Sequence, residues 1–303
     1  MDRTEFRASL SGPVASFRTP FDRDGQVDHA AARNMVDFCI EAGSKTVLLT
    51  AGDSHYMCLS DQEIADLTKI VCDHTAGRAM VVAADRYHGT DRAIAFAKYA
   101  HDVGADMVMC LPPHWGGGCT PRSLAEHYAA VAQHAPVMMV TNLFIPYGMK
   151  FGLDTIKAVL AASDNVVAVK DDMSGQFARR MCLLVHDRWA IISGGQKQNH
   201  LDLHSYGCDG YLSSLIWFKP QIPRRYWAAI EANDIAAARQ VISDHDLPFF
   251  DYIMTAPGSF NAQMHGMLEL AGLAQRWRRK PYHSLTDAEM EALSDVVRSR
   301  GLL

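Results

Sequence analysis

The sequence Asn165-Val-Val-Ala-Val-Lys170-Asp-Asp-Met-Ser-Gly175 contains a buried strand with a charged end. Its four consecutive apolar residues, three of them β-branched, are typical of a strand covered on both faces, as in a parallel sheet. Lys170 ends this strand, where an amine loses hydration and its neutral, nucleophilic form gains population. Lys170 is therefore a candidate for Schiff-base chemistry. The alternative is a lysine at the boundary between strand and solvent that pairs with Asp171 or Asp172.

The composition excludes several classes of protein. The chain has 303 residues, of which 49% are hydrophobic, and a formal net charge of −5. This length suits two modest domains or one α/β barrel of about 250 residues with extensions. The negative charge argues against nucleic acid and membrane surfaces as partners, and no apolar run reaches the roughly 18 residues that span a bilayer. Seven cysteines without a CxxC pair, and an N-terminus unlike a signal peptide, predict a reduced, cytoplasmic protein.

A short apolar run, a polar turn and a stretch of helical periodicity alternate from Val14 onward. Eight runs have the length and the β-branched content of buried strands. They are Val14–Phe21, Thr46–Thr50, Met80–Ala84, Met107–Leu111, Val137–Val140, Val166–Lys170, Ala190–Ser193 and Tyr211–Leu215. Eight βα units with short connections predict an α/β fold, a closed (β/α)8 TIM barrel. An open doubly wound sheet is the alternative, but no GxGxxG follows the first strand.

Helical patterns fill the segments between these runs. Ser60-Asp-Gln-Glu63 forms a capping box, Thr90 is a further predicted N-cap, and Thr120-Pro121 supplies an N-cap with a first-turn proline. The other helices are predicted at His29–Ala42, Leu153–Ala162, Gln176–His186, Gln198–Tyr206 and Pro220–Ala232, then at about Ile235–Asp246, Phe260–Leu273 and after Thr286. We therefore predict a barrel over residues 1–232 that carries the active site. Residues 233–303 are predicted to be a C-terminal helical extension packed on the barrel.

Polar residues follow the C-terminal ends of the predicted strands, the end of a (β/α)8 barrel at which active sites lie. These residues are Thr19, Thr50-Ala-Gly-Asp53-Ser54, Asp85-Arg86, His114-Trp115, Thr141-Asn142, Lys170, Gly194-Gly195 and Ser213-Ser214. A lysine in such a barrel mouth fits the role of an electron sink. Its iminium would withdraw electrons from an adjacent C–C or C–H bond.

Three blocks of the sequence resemble the dihydrodipicolinate synthase/N-acetylneuraminate lyase family. They are Gly12-Pro-Val-Ala-Ser-Phe and the residues up to Asp28, Gly104–Pro113, and Val167-Ala-Val-Lys170-Asp-Asp-Met-Ser-Gly175. The likeness covers about residues 12 to 230, with a similar helical tail. It implies that Lys170 condenses with the keto carbon of pyruvate or another 2-oxo acid, without a cofactor. Aldol cleavage, aldol addition or dehydration would follow. The resemblance also implies a homo-oligomer, commonly a dimer of dimers.

The strand-two motif departs from the family pattern. Relatives usually have Gly-Thr-Thr-Gly-Glu or Gly-Ser-Thr-Gly-Glu, whereas this chain has Leu49-Thr-Ala-Gly-Asp53. Thr50 keeps a hydroxyl, and Gly52 allows backbone N–H groups to approach a carboxylate. Ala51 lacks the side-chain donor that helps relatives to hold the substrate carboxylate.

Two further departures concern the family's tyrosines and its second substrate. At strand five, Thr141-Asn142 replaces the usual Tyr-Asn, so an alcohol stands at the position of the proton-relay phenol. After strand four, His114-Trp115 replaces Tyr-Tyr, and Lys150 lies near the position of an arginine that binds the synthases' second substrate. We therefore expect that this chain is not a true dihydrodipicolinate synthase.

Several residues near the strand ends are candidates for acid–base catalysis or specificity. His55, Tyr56, His114 and Tyr147 carry suitable side chains. Asp85-Arg86 is either part of a clamp for a carboxylate-bearing substrate or a structural ion pair. The predicted catalytic residues are Lys170, Thr141 and Thr50. The predicted substrate-binding residues are Ala51, Gly52, Asp53, Asp85, Arg86, His55, His114, Tyr147, Gly194 and Ser213.

No metal site is predicted. His200 and His204 lie one helical turn apart with Asp202 between them, but no third ligand and no HExxH accompany them, so we expect a solvated helix face. A rival function is an inactive family member that binds a 2-oxo acid or a protein partner as a sensor. Loss of the relay tyrosines favours it, and retention of Lys170 argues against it. A third hypothesis is an enzyme that uses Lys170 only as a charge.

Overall fold

Eight parallel strands close into a single barrel within the described part of the chain. The computed structural model describes residues 1–111 and 118–302. The strands are β1 (Gly12–Ser16), β2 (Thr46–Leu48), β3 (Met80–Ala84), β4 (Met107–Met109), β5 (Val137–Val140), β6 (Val166–Asp171), β7 (Ala190–Ser193) and β8 (Gly210–Leu212). They pair in chain order, and β8 closes on β1. The predicted (β/α)8 barrel is confirmed, and the open-sheet alternative is wrong.

The central stretch forms β6 as predicted. All six residues of β6 are buried, and Lys170 is level with Val140 of β5 and Ile192 of β7. Burial on both faces follows from the position of β6 between two strands, with helices outside and side chains inside the barrel. This register places the lysine at the C-terminal rim of the barrel.

Several strands are shorter than predicted. The first predicted run continues to Phe21, but β1 ends at Ser16, because the Phe17 carbonyl accepts a hydrogen bond from the Ser54 hydroxyl (2.6 Å). The second run was predicted to reach Thr50, whose backbone N–H donates to the same hydroxyl (3.0 Å). Hydrogen bonds to the Ser54 side chain thus replace the backbone hydrogen bonds between strands at the rim, where the chain turns toward the barrel mouth.

Helices surround the barrel and continue beyond it. They are α1 (Arg3–Leu10), α2 (His29–Glu41), α3 (Asp61–Thr75), α4 (Thr90–Asp102), α5 (Pro121–Ala132), α6 (Gly148–Ala162), α7 (Gly175–Val185), α8 (Gln196–His204), α9 (Gln221–Glu231), α10 (Ile235–Val241), α11 (Leu247–Ile253), α12 (Ser259–Leu270) and α13 (Asp287–Ser299). Across residues 1–111 and 118–302, none of them has the length and hydropathy needed to cross a bilayer.

Helix caps follow the sequence closely, with one exception. Ser60, Thr120 and Thr286 cap α3, α5 and α13 and complete a capping box in each case. The prediction for Thr90 is wrong. Gly89 is the N-cap of α4, and the Thr90 hydroxyl lies 3.0 Å from Nδ1 of His127 instead.

The C-terminal helices contact the barrel at several points. The predicted helix Ile235–Asp246 is α-helical only to Val241 and continues as a π-helical turn over Ile242–Asp246. Asp246 pairs with Lys197 of α8 at 2.7 Å, and both side chains are fully buried. The Arg279 guanidinium donates to the Gly25 carbonyl (2.6 Å) on the loop after β1. The division into two domains at residue 232 stays a prediction.

Candidate active site

A cavity of about 290 Å³ opens at the C-terminal end of the barrel. Most of its wall comes from the ends of the strands and from the turns that follow them. The described residues of the wall are Thr50, Ala51, Gly52, Asp53, Tyr87, Met109, Leu111, Val140, Asn142, Lys170, Asp172, Gly194, Gln196, Leu212 and Phe260. Five of the predicted site residues therefore meet around Lys170. They are Thr50, Ala51, Gly52, Asp53 and Gly194.

Lys170 pairs with Asp172 inside this cavity. The lysine is 9% exposed, and its Nζ contacts Oδ1 of Asp172 directly. Gly194 of the β7 end leaves the room for this pair. A Cβ at position 194 would lie 1.9 Å from the Asp172 oxygen and 2.9 Å from the lysine Nζ. The ion pair considered from sequence thus exists, and it lies in the cavity rather than against bulk solvent.

Thr141 holds the backbone beside Lys170 in place. Its hydroxyl donates to Oδ1 of Asp171 (2.8 Å) and accepts the backbone N–H of Asp172 (2.8 Å). The second oxygen of Asp171 accepts the N–H of Ser174 (2.9 Å). Burial raises the pKa of Asp171, although these hydrogen bonds oppose the shift. Thr141 therefore contacts the two acidic residues, and its link to Lys170 runs through Asp172.

The turn after β2 lines the cavity and contains backbone N–H groups without a described acceptor. The N–H of Asp53 donates to the Thr50 hydroxyl (3.0 Å), which fixes the turn. Ala51 and Gly52 line the cavity, and among residues 1–111 and 118–302 nothing accepts their backbone N–H groups. Neighbouring N–H groups of this kind form a concave site for a carboxylate. The missing side-chain donor at Ala51 leaves that backbone feature intact.

Asp53 is a half-buried, ionised carboxylate of this turn. It accepts from the Ser16 hydroxyl (2.6 Å) and lies 3.5 Å from the guanidinium of Arg18, which is itself 1% exposed. Burial alone would raise the pKa of Asp53, but the Arg18 charge, the Ser16 hydrogen bond and the nearby Lys170 charge outweigh it. The pKa is therefore lowered.

His55 and its neighbours lie away from the cavity wall. Nε2 of His55 faces Nε2 of His265 at 3.2 Å, and burial, with the charges of Arg278 and Arg18, lowers the His55 pKa to about 3. The imidazole is thus neutral at physiological pH. Tyr56 is also buried, and burial raises its pKa. Tyr147 stacks on Phe151 with ring centroids 4.8 Å apart.

Asp85 and Arg86 point away from the cavity. The Arg86 guanidinium contacts Asp61 at the start of α3 and donates to the Leu59 carbonyl (3.2 Å). Asp85 accepts the Arg86 backbone N–H (2.7 Å) and lies 3.3 Å from Nε2 of His88. This geometry corresponds to the structural ion pair, and a role in substrate binding stays a prediction.

The remaining predicted positions are not on the described cavity wall. The Ser213 side chain is buried at the end of β8 and is 1% exposed. His114 lies outside the described residues. His200, expected on a solvated face, is fully buried instead. Its Nδ1 lies 2.8 Å from the Tyr226 hydroxyl, and burial lowers its pKa to about 3. Within the described residues no group of three potential ligands surrounds a metal position.

Nine residues of the described wall were not among the predicted site residues, and four of these nine are Tyr87, Gln196, Asp172 and Phe260. The Tyr87 hydroxyl lies 3.4 Å from Nδ2 of Asn142, and Gln196 binds Ser214 through both ends of its amide. Asp172 was detectable, because residues two apart in an extended segment share a face, as Lys170 and Asp172 do. Phe260 comes from α12, and no local pattern connects that helix with the barrel mouth.

Comparison with known proteins gives a consistent result. The sequence pattern of the Dihydrodipicolinate synthetase family matches residues 9–300. A 4-hydroxy-tetrahydrodipicolinate synthase of Syntrophus aciditrophicus (strain SB) is 27% identical over 299 residues, covering 97% of this chain and 99% of that protein.

Solved structures share the fold at lower identity. Dihydrodipicolinate synthase from Oceanobacillus iheyensis superimposes with a TM-score of 0.84 at 23% identity, over 100% of both chains. N-acetylneuraminate lyase from Fusobacterium nucleatum, complexed with pyruvate, gives 0.84 at 14% identity, over 96% of this chain and 97% of that one.

Proposed function

Because the chain belongs to the dihydrodipicolinate synthetase family, we propose that it is a class I lyase, aldolase or dehydratase that acts on a 2-oxo acid through Lys170. The observation that carries this proposal is the position of the lysine. It lies at the rim of β6, 9% exposed, and lines the same cavity as Ala51 and Gly52. A bound 2-oxo acid needs these two features, a nucleophile for its keto carbon and an anion site for its carboxylate.

We assign the two parts of the substrate to the two sides of the cavity. The carboxylate binds the N–H groups of the strand-two turn, which Thr50 fixes, and the keto carbon faces Lys170. The amine forms a C–N bond to that carbon and water leaves, which gives an iminium. Loss of a proton from the adjacent carbon then gives an enamine, the nucleophile of an aldol addition. The same intermediates in reverse order cleave a C–C bond.

We further propose that the reaction differs from that of 4-hydroxy-tetrahydrodipicolinate synthase. Lys170 is the only cationic side chain on the described part of the wall. Lys150, at the predicted position for binding a second carboxylate, is exposed on α6 and pairs with Asp154 at 2.5 Å. A second reactant without a carboxylate fits this wall better than an acidic one.

Borohydride trapping tests the central claim. Incubation with pyruvate and borohydride, followed by intact-mass and peptide analysis, should place a reduced adduct on the peptide that contains Lys170. Lys170→Ala should remove the adduct. Lys69→Ala, which deletes an exposed lysine of α3, should leave it unchanged. No adduct with pyruvate or with longer 2-oxo acids would overturn the proposal.

The second candidate function is a binding protein without turnover. It is favoured by Thr141 at the end of β5. The hydroxyl of this residue, which stands at the proton-relay position, is already hydrogen-bonded to Asp171 and Asp172. Both candidates bind pyruvate, but only the enzyme exchanges the methyl protons of pyruvate in D2O. Proton NMR of the methyl signal therefore separates them.

We also propose an oligomeric state and a cellular compartment for this protein. Family resemblance supports a homotetramer built as a dimer of dimers, and composition supports a cytoplasmic protein. Sedimentation velocity would test the assembly, and a monomer at micromolar concentration would contradict it.

A further inference from the structure

We propose that the carboxylate of Asp172 is the acid–base group of this active site, in place of the phenol that relatives carry on strand five. The inference rests on the proposed Schiff-base function. It assigns the proton transfers of that reaction to Asp172.

Direct contact with the reacting nitrogen is the first argument. Asp172 Oδ1 contacts Nζ of Lys170, and both residues line the same cavity. A general acid or base must lie within hydrogen-bond reach of the proton that it moves. The side chain of Asp172 is 23% exposed, so it is also open to the cavity in which a substrate would lie.

The fixed position of this carboxylate is the second argument. The Asp172 backbone N–H donates to Thr141, the Thr141 hydroxyl donates to Asp171, and Asp171 accepts the Ser174 N–H. These bonds define the backbone around the lysine. Gly194 then gives the carboxylate its space, because a Cβ there would lie 1.9 Å from Asp172 Oδ1. Thr141 and Gly194 are thus positioning residues for Asp172.

The other titratable side chains are less suitable. His55 is turned toward His265, and its pKa of about 3 leaves it neutral. Tyr147 stacks on Phe151 outside the wall. Asp53 also lies on the wall, but its carboxylate accepts a hydrogen bond from the Ser16 hydroxyl (2.6 Å) and lies 3.5 Å from the Arg18 guanidinium. Tyr87 is a further rival, because its phenol lies on the wall, 3.4 Å from Nδ2 of Asn142. The contact with Nζ is what favours Asp172 over Tyr87.

The carboxylate of Asp172 can accept and donate the protons that the proposed reaction requires. Asp172 accepts a proton from the Lys170 ammonium, which leaves a neutral amine. The amine attacks the keto carbon, and transfer of a proton from nitrogen to oxygen gives a carbinolamine. Asp172 then donates its proton to the carbinolamine hydroxyl, the C–O bond breaks and water leaves, giving the iminium. The regenerated carboxylate takes the proton from the adjacent carbon, whose C–H electrons form the enamine double bond.

The test compares two rates in the full-length protein. One is borohydride trapping of pyruvate, and the other is exchange of the pyruvate methyl protons in D2O. Asp172→Asn should slow exchange by about 100-fold or more, the usual contribution of general acid–base catalysis. Asp73→Asn removes the carboxylate of an exposed Lys–Asp pair on α3 and should change neither rate. Tyr87→Phe should slow exchange far less than Asp172→Asn does, because loss of the acid–base group removes a contribution of about 100-fold or more.

Chemical rescue separates a catalytic role from a structural one. Asp172→Ala should recover exchange when formate is added, because formate supplies a carboxylate in the vacated space. An unfolded variant would not recover. Wild-type exchange in Asp172→Asn, or its loss only in Tyr87→Phe, would overturn the assignment while leaving Lys170 as the nucleophile. Absence of trapping in the wild-type protein would instead overturn the proposed function itself.

Discussion

Gly194 shows how closely single residues control the cavity. Its backbone does not adopt the left-handed conformation, so an alanine at this position would meet no backbone strain. The alanine Cβ would nevertheless occupy the space of the Asp172 carboxylate. Activity and stability should therefore respond differently to this substitution.

We expect Gly194→Ala to lower kcat/KM by about 100-fold, because a displacement of about 1 Å at a reacting group has an effect of that size. The free energy of unfolding should change little in comparison. Steady-state kinetics and urea denaturation measure the two effects. Gly89→Ala, whose Cβ would meet no atom within 4 Å, is the control. Unchanged kinetics in Gly194→Ala would show that Asp172 does not need its observed position.

At the residue scale, the sequence predicted the site residues at strand ends. It missed the residues that distant segments contribute to the cavity wall. Lys170 and the Thr50–Asp53 turn follow from the apolar runs before them. The side-chain direction of His55 depends on a left-handed backbone conformation (φ 58°), which no pattern in its neighbours indicates. Phe260 lines the cavity although it lies on α12, far in sequence from the strands of the barrel.

At the scale of helices, a buried ion pair outside the cavity joins α8 to the π-helical turn before α11. Lys197 of α8 and Asp246 of the π-helical turn are each fully buried, with 2.7 Å between Nζ and Oδ1. Burial lowers the pKa of Lys197 and raises that of Asp246, and the partner's charge opposes each shift. Removal of one partner would leave an uncompensated charge in the protein interior.

We therefore expect Lys197→Met to cost about 3–5 kcal/mol in the free energy of unfolding. The double variant Lys197→Met/Asp246→Leu should regain most of this loss, because no unpaired charge stays buried. Chemical denaturation of the two variants and the wild type provides the measurement. Equal losses in both variants would indicate that packing, and not charge, dominates at this junction.

Elements with strong local signals were predictable, and elements defined by tertiary contacts were not. The N-cap signals at Ser60, Thr120 and Thr286 gave correct helix starts, since cap and helix lie within four residues. Helix α1 was missed because only Phe6 and Leu10 of its eight residues are buried. The π-helical turn before α11 also lacks a local signal, and its end coincides with the buried pair at Asp246.

For the whole molecule, three buried histidines with strongly lowered pKa values reduce stability in acid. Burial lowers the pKa of His55 and of His200 to about 3, and that of His265 well below its ordinary value. In the unfolded chain each imidazole binds a proton near pH 6.5. The unfolded state therefore binds more protons than the native state as the pH falls below 6.5, and stability decreases.

Each of these imidazoles should cost about 2 kcal/mol of stability between pH 7 and pH 5. Urea denaturation at several pH values in this window measures the slope. His200→Gln should make the slope shallower, whereas His101→Gln, at an exposed position, should leave it unchanged. A pH-independent stability in the wild-type protein would contradict buried, neutral histidines.

For the whole molecule, the number of βα units in the sequence predicted the barrel architecture. Eight units with short connections are enough to predict a closed barrel. The arrangement of residues 233–302 depended on contacts such as that of Arg279 with Gly25, between parts of the chain far apart in sequence. Such contacts leave no periodic signature.

The position of Phe260 has a consequence for how such a protein can diversify. Lys170 belongs to strand β6 of the barrel, whereas this part of the cavity wall belongs to helix α12. Substitutions in α12 can therefore change the shape of the cavity while the strands and Lys170 stay unaltered. Selection for a new reactant can act on one segment and selection for the chemistry on another. Randomising the barrel-facing positions of α12 is thus a practical route to altered substrate preference.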